Sequence, residues 1–266
     1  MDNKIKVFVV GDCHTARVCG QHINANAGFN HESVAEQDRV SKYTINRYAI
    51  TLDDSKFIAD TNIQVDFWGY AGFKCFGLDF SENINQNTIS SLAEDTFKRE
   101  HDSVELQFGV SKILEADLIM PWLGYIDCRT WIPKYSNAEL IVQDYVDCFV
   151  NTFPSKKIRF IEAFPQFEEL NTYNYPSYPY DVRMQANNDF NKALHEFSKE
   201  KGLLPPVSQS VVYESVGSNT LNIDHARTGD LEIYKGTKMD GLLPKYTESV
   251  YKNISKEIIK TVNTLF

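Results

Sequence analysis

Four short apolar runs constrain the fold of this chain more than any other feature of its sequence. They occupy residues 5–10, 63–68, 116–122 and 158–163, and each is rich in apolar, mostly β-branched and aromatic, residues. A strand that is apolar on both sides is buried on both faces, which is typical of parallel sheets. The runs therefore predict the strands of a mostly parallel sheet.

Segments with helical periodicity lie between and after these runs, at residues 15–24, 103–114, 138–151, 182–201 and 246–265. In the last segment Val250, Ile254, Ile258 and Val262 share one face because they recur every four residues. Strands that alternate with helices predict right-handed crossovers and a sheet covered on both faces. We therefore expect an α/β fold, a three-layer α/β/α sandwich with a mostly parallel sheet of about five strands.

The length of 266 residues, with 42% hydrophobic residues, suits one large domain over residues 1–266. Two segments interrupt the pattern. Residues from about 27 to 62 are polar and poorly periodic, and we interpret them as an insertion with a hairpin around residues 43–52. Residues from about 203 to 243 form a long irregular loop, and loops of this length in compact domains are usually functional.

Composition and charge exclude several classes of protein. The net charge of −9 and the shortness of the basic runs argue against a nucleic-acid partner. No apolar stretch approaches the roughly 20 residues of a membrane span, and the first residues enter a strand without a signal-peptide pattern. The five cysteines are widely spaced and form no CxxC pair, which argues against disulfides and structural zinc. We expect a cytoplasmic protein without membrane partner, metal or other cofactor, and the sequence does not predict its oligomeric state.

Sites in open parallel sheets lie beyond the carboxyl ends of the strands, so the four loops at residues 11–14, 69–72, 124–127 and 164–167 should meet there. Cys13 lies where the first strand gives way to a helix, and a helix N-terminus lowers the pKa of a thiol. Cys13 is thus either a reactive thiol or an inert buried cysteine. The other four cysteines are expected to be small buried residues: Cys19, Cys75, Cys128 and Cys148.

Residues 11–14, Gly-Asp-Cys-His, resemble the first block of the SGNH (GDSL-type) hydrolases, with Cys13 in the position of the nucleophilic serine. Residues 69–72 resemble the second block, whose first glycine, here Gly69, gives its backbone N–H to the oxyanion hole. Residues 123–127 resemble the third block, Gly-x-Asn-Asp, with Ile126 in place of the asparagine. Residues 240–243 resemble the last block, Asp-x-x-His, with Leu243 in place of the histidine. The resemblance implies the flavodoxin-like fold of that family.

The resemblance also implies an esterase or acyl-transfer activity in which Cys13 attacks the acyl carbonyl. The backbone N–H groups of Cys13 and Gly69 would then hold the oxyanion. His225, beside Asp224 in the long loop, is the candidate base, with Asp224 or Asp240 to orient it; the alternative is that His225 is an ordinary exposed loop histidine. Asp12 is expected to support its loop through hydrogen bonds and not to react.

The variant Gly-x-Ile-Asp-Cys-Arg at residues 124–129 resembles the corresponding block of a branch of SGNH-like proteins found in phages and in surface-polysaccharide gene clusters. That resemblance implies an acylated carbohydrate or similar ester as substrate, and a virion location if the chain is phage-encoded. Asp127 and Arg129 either pair with each other or contact substrate, since an arginine binds carboxylates and phosphates bidentately. The remaining candidate substrate contacts are His14, Tyr173 and Tyr175, and the tyrosines either bind sugar rings or pack over the core.

A second class of function follows from the departures at Cys13, Ile126 and Leu243. A chain that lacks the family's residues at these three positions could be a catalytically inactive SGNH scaffold. It would then serve as a binding or structural protein, for example in a phage virion or as a glycan-binding component. The distance between His225 and the Cys13 sulfur would separate the two hypotheses, because a nucleophile and its base approach within about 3 Å.

Overall fold

Six strands form one sheet in the computed structural model of the chain, which describes residues 4–12, 32–33, 46–49, 63–69, 75, 113–164, 166, 178–210 and 242–266. The strands are β1 Ile5–Gly11, β2 Glu32–Ser33, β3 Asn46–Ala49, β4 Ile63–Gly69, β5 Leu118–Trp122 and β6 Lys157–Ile158. Their order across the sheet is β2-β3-β4-β1-β5-β6. The strands β4, β1, β5 and β6 are parallel, whereas β3 runs antiparallel to both of its neighbours.

The predicted α/β fold with a mostly parallel sheet is confirmed, and its four apolar strands lie within two residues of their predicted starts. The last of them is shorter than predicted, because β6 covers only Lys157–Ile158 of the run expected at 158–163. The two additional short strands come from the polar segment that we interpreted as an insertion. Residues 46–49 do not pair within the expected hairpin at 43–52; they pair with β2 on one side and with β4 on the other. This arrangement covers the edge of β4, which would otherwise present unpaired backbone groups.

The helices of the described part are α1 Ile132–Tyr135, α2 Ala138–Thr152, α3 Tyr180–Glu200 and α4 Leu242–Leu265. Helices α2, α3 and α4 were predicted with the correct type and approximate bounds. Helix α2 begins after Asn137, whose side chain accepts a hydrogen bond from the backbone N–H of Leu140 at 3.0 Å. Among the residues described, no helix combines the length and the apolar character needed to cross a membrane.

The sheet separates two apolar clusters, which makes the protein three layers thick. Side chains alternate along β1, so Phe8 and Val10 pack with α2 and α3 while Val7 and Val9 pack with α4 on the opposite face. All four side chains are buried. The continuous apolar character of β1 in the sequence therefore follows from its burial between two helical layers.

A π-helix at Asp127–Trp131 leads directly into the short helix α1, and neither element was predicted. Each is shorter than the window over which helical periodicity can be recognised. Ser136 ends α1 in the left-handed conformation with φ of 52°. The segment between β5 and α2 is therefore helical throughout much of its length, where the sequence predicted a loop.

Gly124, at the exit of β5, has a φ of +108° and is packed against the core. A Cβ atom at this position would lie 2.5 Å from Cζ of Phe190 and 3.0 Å from Cβ of Ala163. The Phe190 ring is itself fully buried and has no room to move away. Glycine is therefore required here for two reasons, backbone conformation and space.

We expect Gly124→Ala to lower the free energy of unfolding by about 1–3 kcal/mol more than Gly202→Ala, as measured by urea denaturation. Gly202 is a matched control because it also has a positive φ, +68°, but a Cβ atom there would meet nothing within 4 Å. Both variants carry the conformational cost of a positive φ, roughly 1–2 kcal/mol, and only Gly124→Ala adds the collision. Equal losses in the two variants would show that close packing at Gly124 is unimportant.

Candidate functional site

Three parallel strands end at the same level at the carboxyl edge of the sheet. Gly11, the last residue of β1, pairs with Gly69 of β4 on one side and with Trp122 of β5 on the other. The segments that follow these three residues therefore leave the sheet side by side. They are the segments that carry the first three motif blocks.

Several predicted site residues lie outside the described part of the chain, so their roles stay predictions: Cys13, His14, Tyr173, Tyr175, Asp224, His225 and Asp240. Gly69 is described as the last residue of β4, next to Gly11, and its oxyanion role also stays a prediction. Asp12 is only 1% exposed directly after β1, and its expected role in supporting the loop stays a prediction.

Asp127 is completely buried and accepts a hydrogen bond from the backbone N–H of Cys75 at 2.8 Å. The two residues are 52 positions apart, and Cys75 follows the second motif block. The carboxylate thus fastens the chain after β4 to the chain after β5. The burial of the Asp127 side chain favours this anchoring role over a contact to substrate. Among the described residues, Asp127 and Arg129 do not form the ion pair that the sequence left open.

Asp127 also shapes the chemistry of the cysteines around it. Burial raises the pKa of Cys75 well above the usual thiol value, and the negative charge of Asp127 raises it further. Burial and Asp127 raise the pKa of Cys128 in the same way. Both thiols are therefore protonated at neutral pH and inert as nucleophiles, which agrees with the expectation that they are small buried residues.

Polar side chains of α3, which sequence reasoning missed, fasten the segment after β6. Asn187 Nδ2 donates to the carbonyl oxygen of Phe164 at 2.9 Å, and the Ala163 backbone N–H donates to Asn191 Oδ1 at 2.9 Å. Asn187 and Asn191 are both buried. Their signal in the sequence is two asparagines one helical turn apart beside Phe190, on the apolar face of a helix, where polar groups need partners.

Gln166 joins the segment after β6 to the segment after β5. Its side chain is buried, and Nε2 donates to the carbonyl oxygen of Tyr125 at 3.2 Å. The sequence placed its loop, residues 164–167, at the site but did not single out Gln166. Together with Asp127, it links the segments after β4, β5 and β6 by hydrogen bonds.

Arg129 lies in the π-helix at this same edge and is partly exposed. Its Nε atom is buried, and among the described residues no group accepts a hydrogen bond from it. π-Helical segments occur frequently at functional sites. The described part of the chain contains no group of three or more His, Cys, Asp or Glu residues that could hold a metal ion.

Comparison with known proteins identifies the fold. No protein-family model and no curated protein matches the chain. A crystal structure with 14% identity matches 97% of this chain and 98% of its own with a TM-score of 0.53. Est24, a carbohydrate acetylesterase from Sinorhizobium meliloti, matches 97% of this chain and 100% of its own with 8% identity and a TM-score of 0.50. At such identities the likeness shows the fold alone, and it agrees with the SGNH hydrolase fold expected from the motifs.

We expect Asp127→Ala to lower the free energy of unfolding by about 1–3 kcal/mol or more, because it leaves the buried Cys75 N–H without an acceptor. Asp117→Ala is the matched control. Asp117 also accepts a hydrogen bond from a backbone N–H, that of Lys6, at 2.8 Å. This position is exposed, so water can replace the carboxylate as acceptor, and we expect the free energy of unfolding to change by no more than about 0.5 kcal/mol. Urea denaturation measures both values, and a loss at position 117 as large as that at 127 would contradict the anchoring role.

Stability should fall as the pH rises above about 9, since the unfolded thiols of Cys75 and Cys128 then lose protons that the folded protein retains. The pKa of each thiol is higher in the folded than in the unfolded protein. The contribution of each thiol to stability is therefore complete below the pKa of the unfolded form and is lost as the pH rises above it. Each group contributes a slope of at most about −1.4 kcal/mol per pH unit. Cys128→Ala should make the decline between pH 9 and 10 shallower, as followed by urea denaturation, whereas an unchanged slope would mean that Cys128 ionises freely when folded.

Proposed function

We propose that the protein is an SGNH-like esterase or acyl-transfer enzyme that uses Cys13 as its nucleophile on an acylated carbohydrate or a similar ester. One observation carries the proposal. Gly11 pairs with both Gly69 and Trp122, so the segment that begins the nucleophile block leaves the sheet between the other two blocks. A nucleophile two residues beyond Gly11 would have the backbone of Gly69 on a neighbouring strand end.

In the proposed reaction the Cys13 sulfur attacks the acyl carbonyl carbon while His225 accepts the thiol proton. The backbone N–H groups of Cys13 and Gly69 stabilise the negative oxygen of the tetrahedral intermediate. As the intermediate collapses, the carbon–oxygen bond of the ester breaks, and His225 returns the proton to the departing alcohol. Water or a second hydroxyl group then attacks the thioester and releases the acyl group, which restores the thiol. Asp224 or Asp240 orients the His225 ring.

Hydrogen bonds between segments at the carboxyl edge support this mechanism, since an oxyanion hole stabilises a transition state only when its donors are held in place beforehand. Asp127 fixes the segment after β4, and Gln166 fixes the segment after β5. The Ile126 side chain packs against the apolar cluster on the α4 side. The position of the missing asparagine therefore offers no side-chain donor, and the proposed oxyanion hole depends on backbone N–H groups. Losing one such donor slows enzymes by about 10²–10³-fold.

The proposed class of substrate has two supports. One is the resemblance of residues 124–129 to SGNH-like proteins of surface-polysaccharide gene clusters. The other is that Est24, which has the same fold, is a carbohydrate acetylesterase. Neither support identifies the sugar, and both favour an acetyl ester as the first substrate to test.

We expect Cys13→Ala to lower kcat/KM for p-nitrophenyl acetate and acetylated sugars by about 10³-fold or more, because no other group forms the acyl-enzyme. His225→Ala should lower it by about 10²–10⁴-fold, the usual contribution of a general base. Cys148→Ala is the control, since Cys148 lies in α2, outside the motif blocks, and should leave turnover unchanged. Cys148 was expected to be buried but is partly exposed, so its thiol tests whether an accessible cysteine alone supports turnover.

Mass spectrometry of the protein trapped during turnover should find the acetyl group on the peptide that contains Cys13. The buried thiols of Cys75 and Cys128 serve as internal controls that stay unmodified. If the native protein turns over no ester and Cys13 carries no acetyl group, the enzyme proposal is wrong. The alternative of an inactive SGNH scaffold with a binding or structural role would then be favoured.

A further inference from the structure

The Glu162 carboxylate, which the proposed mechanism does not use, joins two parts of the chain near the carboxyl edge of the sheet. Its side chain is 11% exposed. One oxygen, Oε1, lies 2.7 Å from Nε2 of His195 in α3. The other, Oε2, accepts hydrogen bonds from the backbone N–H of Gln209 at 2.6 Å and from the Ser208 hydroxyl at 3.4 Å. Glu162 therefore connects α3 to the residues that come directly before position 211.

Backbone pairing brings these residues to the same edge of the sheet as the motif blocks. A parallel bridge joins Ile161 to Val207, and the Glu162 backbone N–H donates to the carbonyl oxygen of Val207 at 2.9 Å. The Ile161 N–H in turn donates to the carbonyl oxygen of Pro121, the β5 partner of Val10. The chain after Val207 therefore leaves the sheet at about the same level as the chain after β1.

Three strand spacings separate Val207 from β1, because β5 and residues 157–161 lie between them. At the usual separation of neighbouring strands this amounts to about 14 Å. The chain from Ser210 to His225, when extended, is long enough to cover this distance several times over. The bond between Glu162 and Gln209 therefore sets the point from which the chain continues toward the candidate base.

Arg159 holds the same part of the chain from the α4 side of the sheet. Its Nε donates to the carbonyl oxygen of Pro205 at 2.9 Å. Its Nη1 donates to Thr261 Oγ1 at 2.6 Å and to the Glu257 carboxylate at 3.3 Å, both in α4. Because α4 begins at position 242, Arg159 links the chain before residues 211–241 to the chain after them.

The Gln209 N–H is the donor for which the Glu162 carboxylate matters most. A hydroxyl group rotates and a neutral histidine ring has two tautomers, but a backbone N–H can only donate. An ionised carboxylate is the stronger class of acceptor for such a group, and the 2.6 Å distance is short for a hydrogen bond of this kind. His195 contacts the second oxygen and so fixes the direction in which the carboxylate points.

We infer that Glu162 is a positioning residue for the proposed reaction: through Gln209 it fixes where the chain that carries His225 leaves the sheet, and thereby the approach of His225 to Cys13. The inference rests on the proposed function and adds a residue that contacts neither the substrate nor the reacting atoms. A reacting group displaced by about 1 Å slows an enzyme by up to about 10²-fold, so an anchor outside the site affects the rate.

The test begins with Glu162→Met, which keeps the length of the side chain and removes its acceptors. We expect kcat for p-nitrophenyl acetate to fall by about 10–100-fold, with KM nearly unchanged because no contact to substrate is lost. The rate of Cys13 alkylation by iodoacetamide, measured against pH by mass spectrometry, should have a higher midpoint, since a displaced imidazole stabilises the thiolate less. A purely structural role would lower the urea midpoint and leave the alkylation midpoint of the folded protein unchanged.

Two further variants separate the parts of the anchor. Glu162→Gln should recover most of kcat, because its amide oxygen still accepts from the Gln209 N–H while its NH₂ group faces His195. His195→Leu should lower kcat by about 2–10-fold, the effect of one hydrogen bond, because Glu162 keeps its bond to Gln209 and loses the group that orients it. The His195 side chain is 44% exposed, so this second variant retains the fold.

Glu196→Met is the matched control. Glu196 follows His195 in α3, and its exposed carboxylate lies 3.9 Å from the Lys192 ammonium group at the surface. The substitution removes the same charge and the same acceptors as Glu162→Met without touching the chain around Gln209. We expect kcat and the alkylation midpoint of Cys13 to equal those of the wild-type protein.

Hydrogen exchange tests the anchor without depending on turnover. In Glu162→Met the backbone amides directly after Gln209 should exchange faster than in the wild-type protein and in Glu196→Met, because local opening becomes easier when the anchoring hydrogen bond is lost. Equal exchange in the three proteins would show that Glu162 does not hold this part of the chain, and the inference would be wrong.

The remaining outcomes separate this inference from the proposed function. A folded Glu162→Met protein with the wild-type kcat and alkylation midpoint would overturn the inference and leave the proposed function intact. If Glu162→Met does not fold, His195→Leu decides, and an unchanged kcat there overturns the inference. A wild-type protein that turns over no ester would contradict the proposed function, whereas faster exchange after Gln209 in Glu162→Met would still support the anchor.

Discussion

The parallel pairing of β1 with β4 on one side and β5 on the other is the constraint on which the rest of the structure depends. Central parallel strands exchange all their backbone hydrogen bonds with two neighbours, so β1 tolerates only residues that suit burial on both faces. The same pairing aligns Gly11 with Gly69 and Trp122. Register thus brings together segments that are distant in the sequence, before any side chain of a site is considered.

Buried polar side chains then hold those segments in place. Asp127, Asn187, Asn191 and Gln166 each satisfy a backbone group of a loop at or near the carboxyl edge. A buried N–H or carbonyl without a partner costs about 1–3 kcal/mol, so each loop is confined to the conformation in which its hydrogen bond forms.

Much of the fold was predictable because its signals extend over several residues. The apolar runs located β1, β4, β5 and β6, and the periodicity of α2, α3 and α4 placed them nearly correctly. The short π-helix at Asp127–Trp131 and the pairing of β3 with β2 and β4 were missed, since each is stabilised by tertiary contacts and by pairing rather than by a local pattern. The motif blocks were recognised from residue identity, but their roles depend on distances that no local pattern contains.

Asp127 and Arg129 show where the sequence stops being informative. Read from the sequence, they are two charged residues at the end of one strand, equally suited to pair with each other or to bind substrate. The tertiary structure separates them, because the π-helix directs Asp127 into the core toward Cys75 and leaves Arg129 partly exposed. The sequence by itself determined the class of sheet, the order of its elements and the identity of the charged groups. Only the tertiary structure decided which of the two charged side chains the protein buries and hydrogen-bonds, since that depends on which backbone groups approach it across 52 residues of chain.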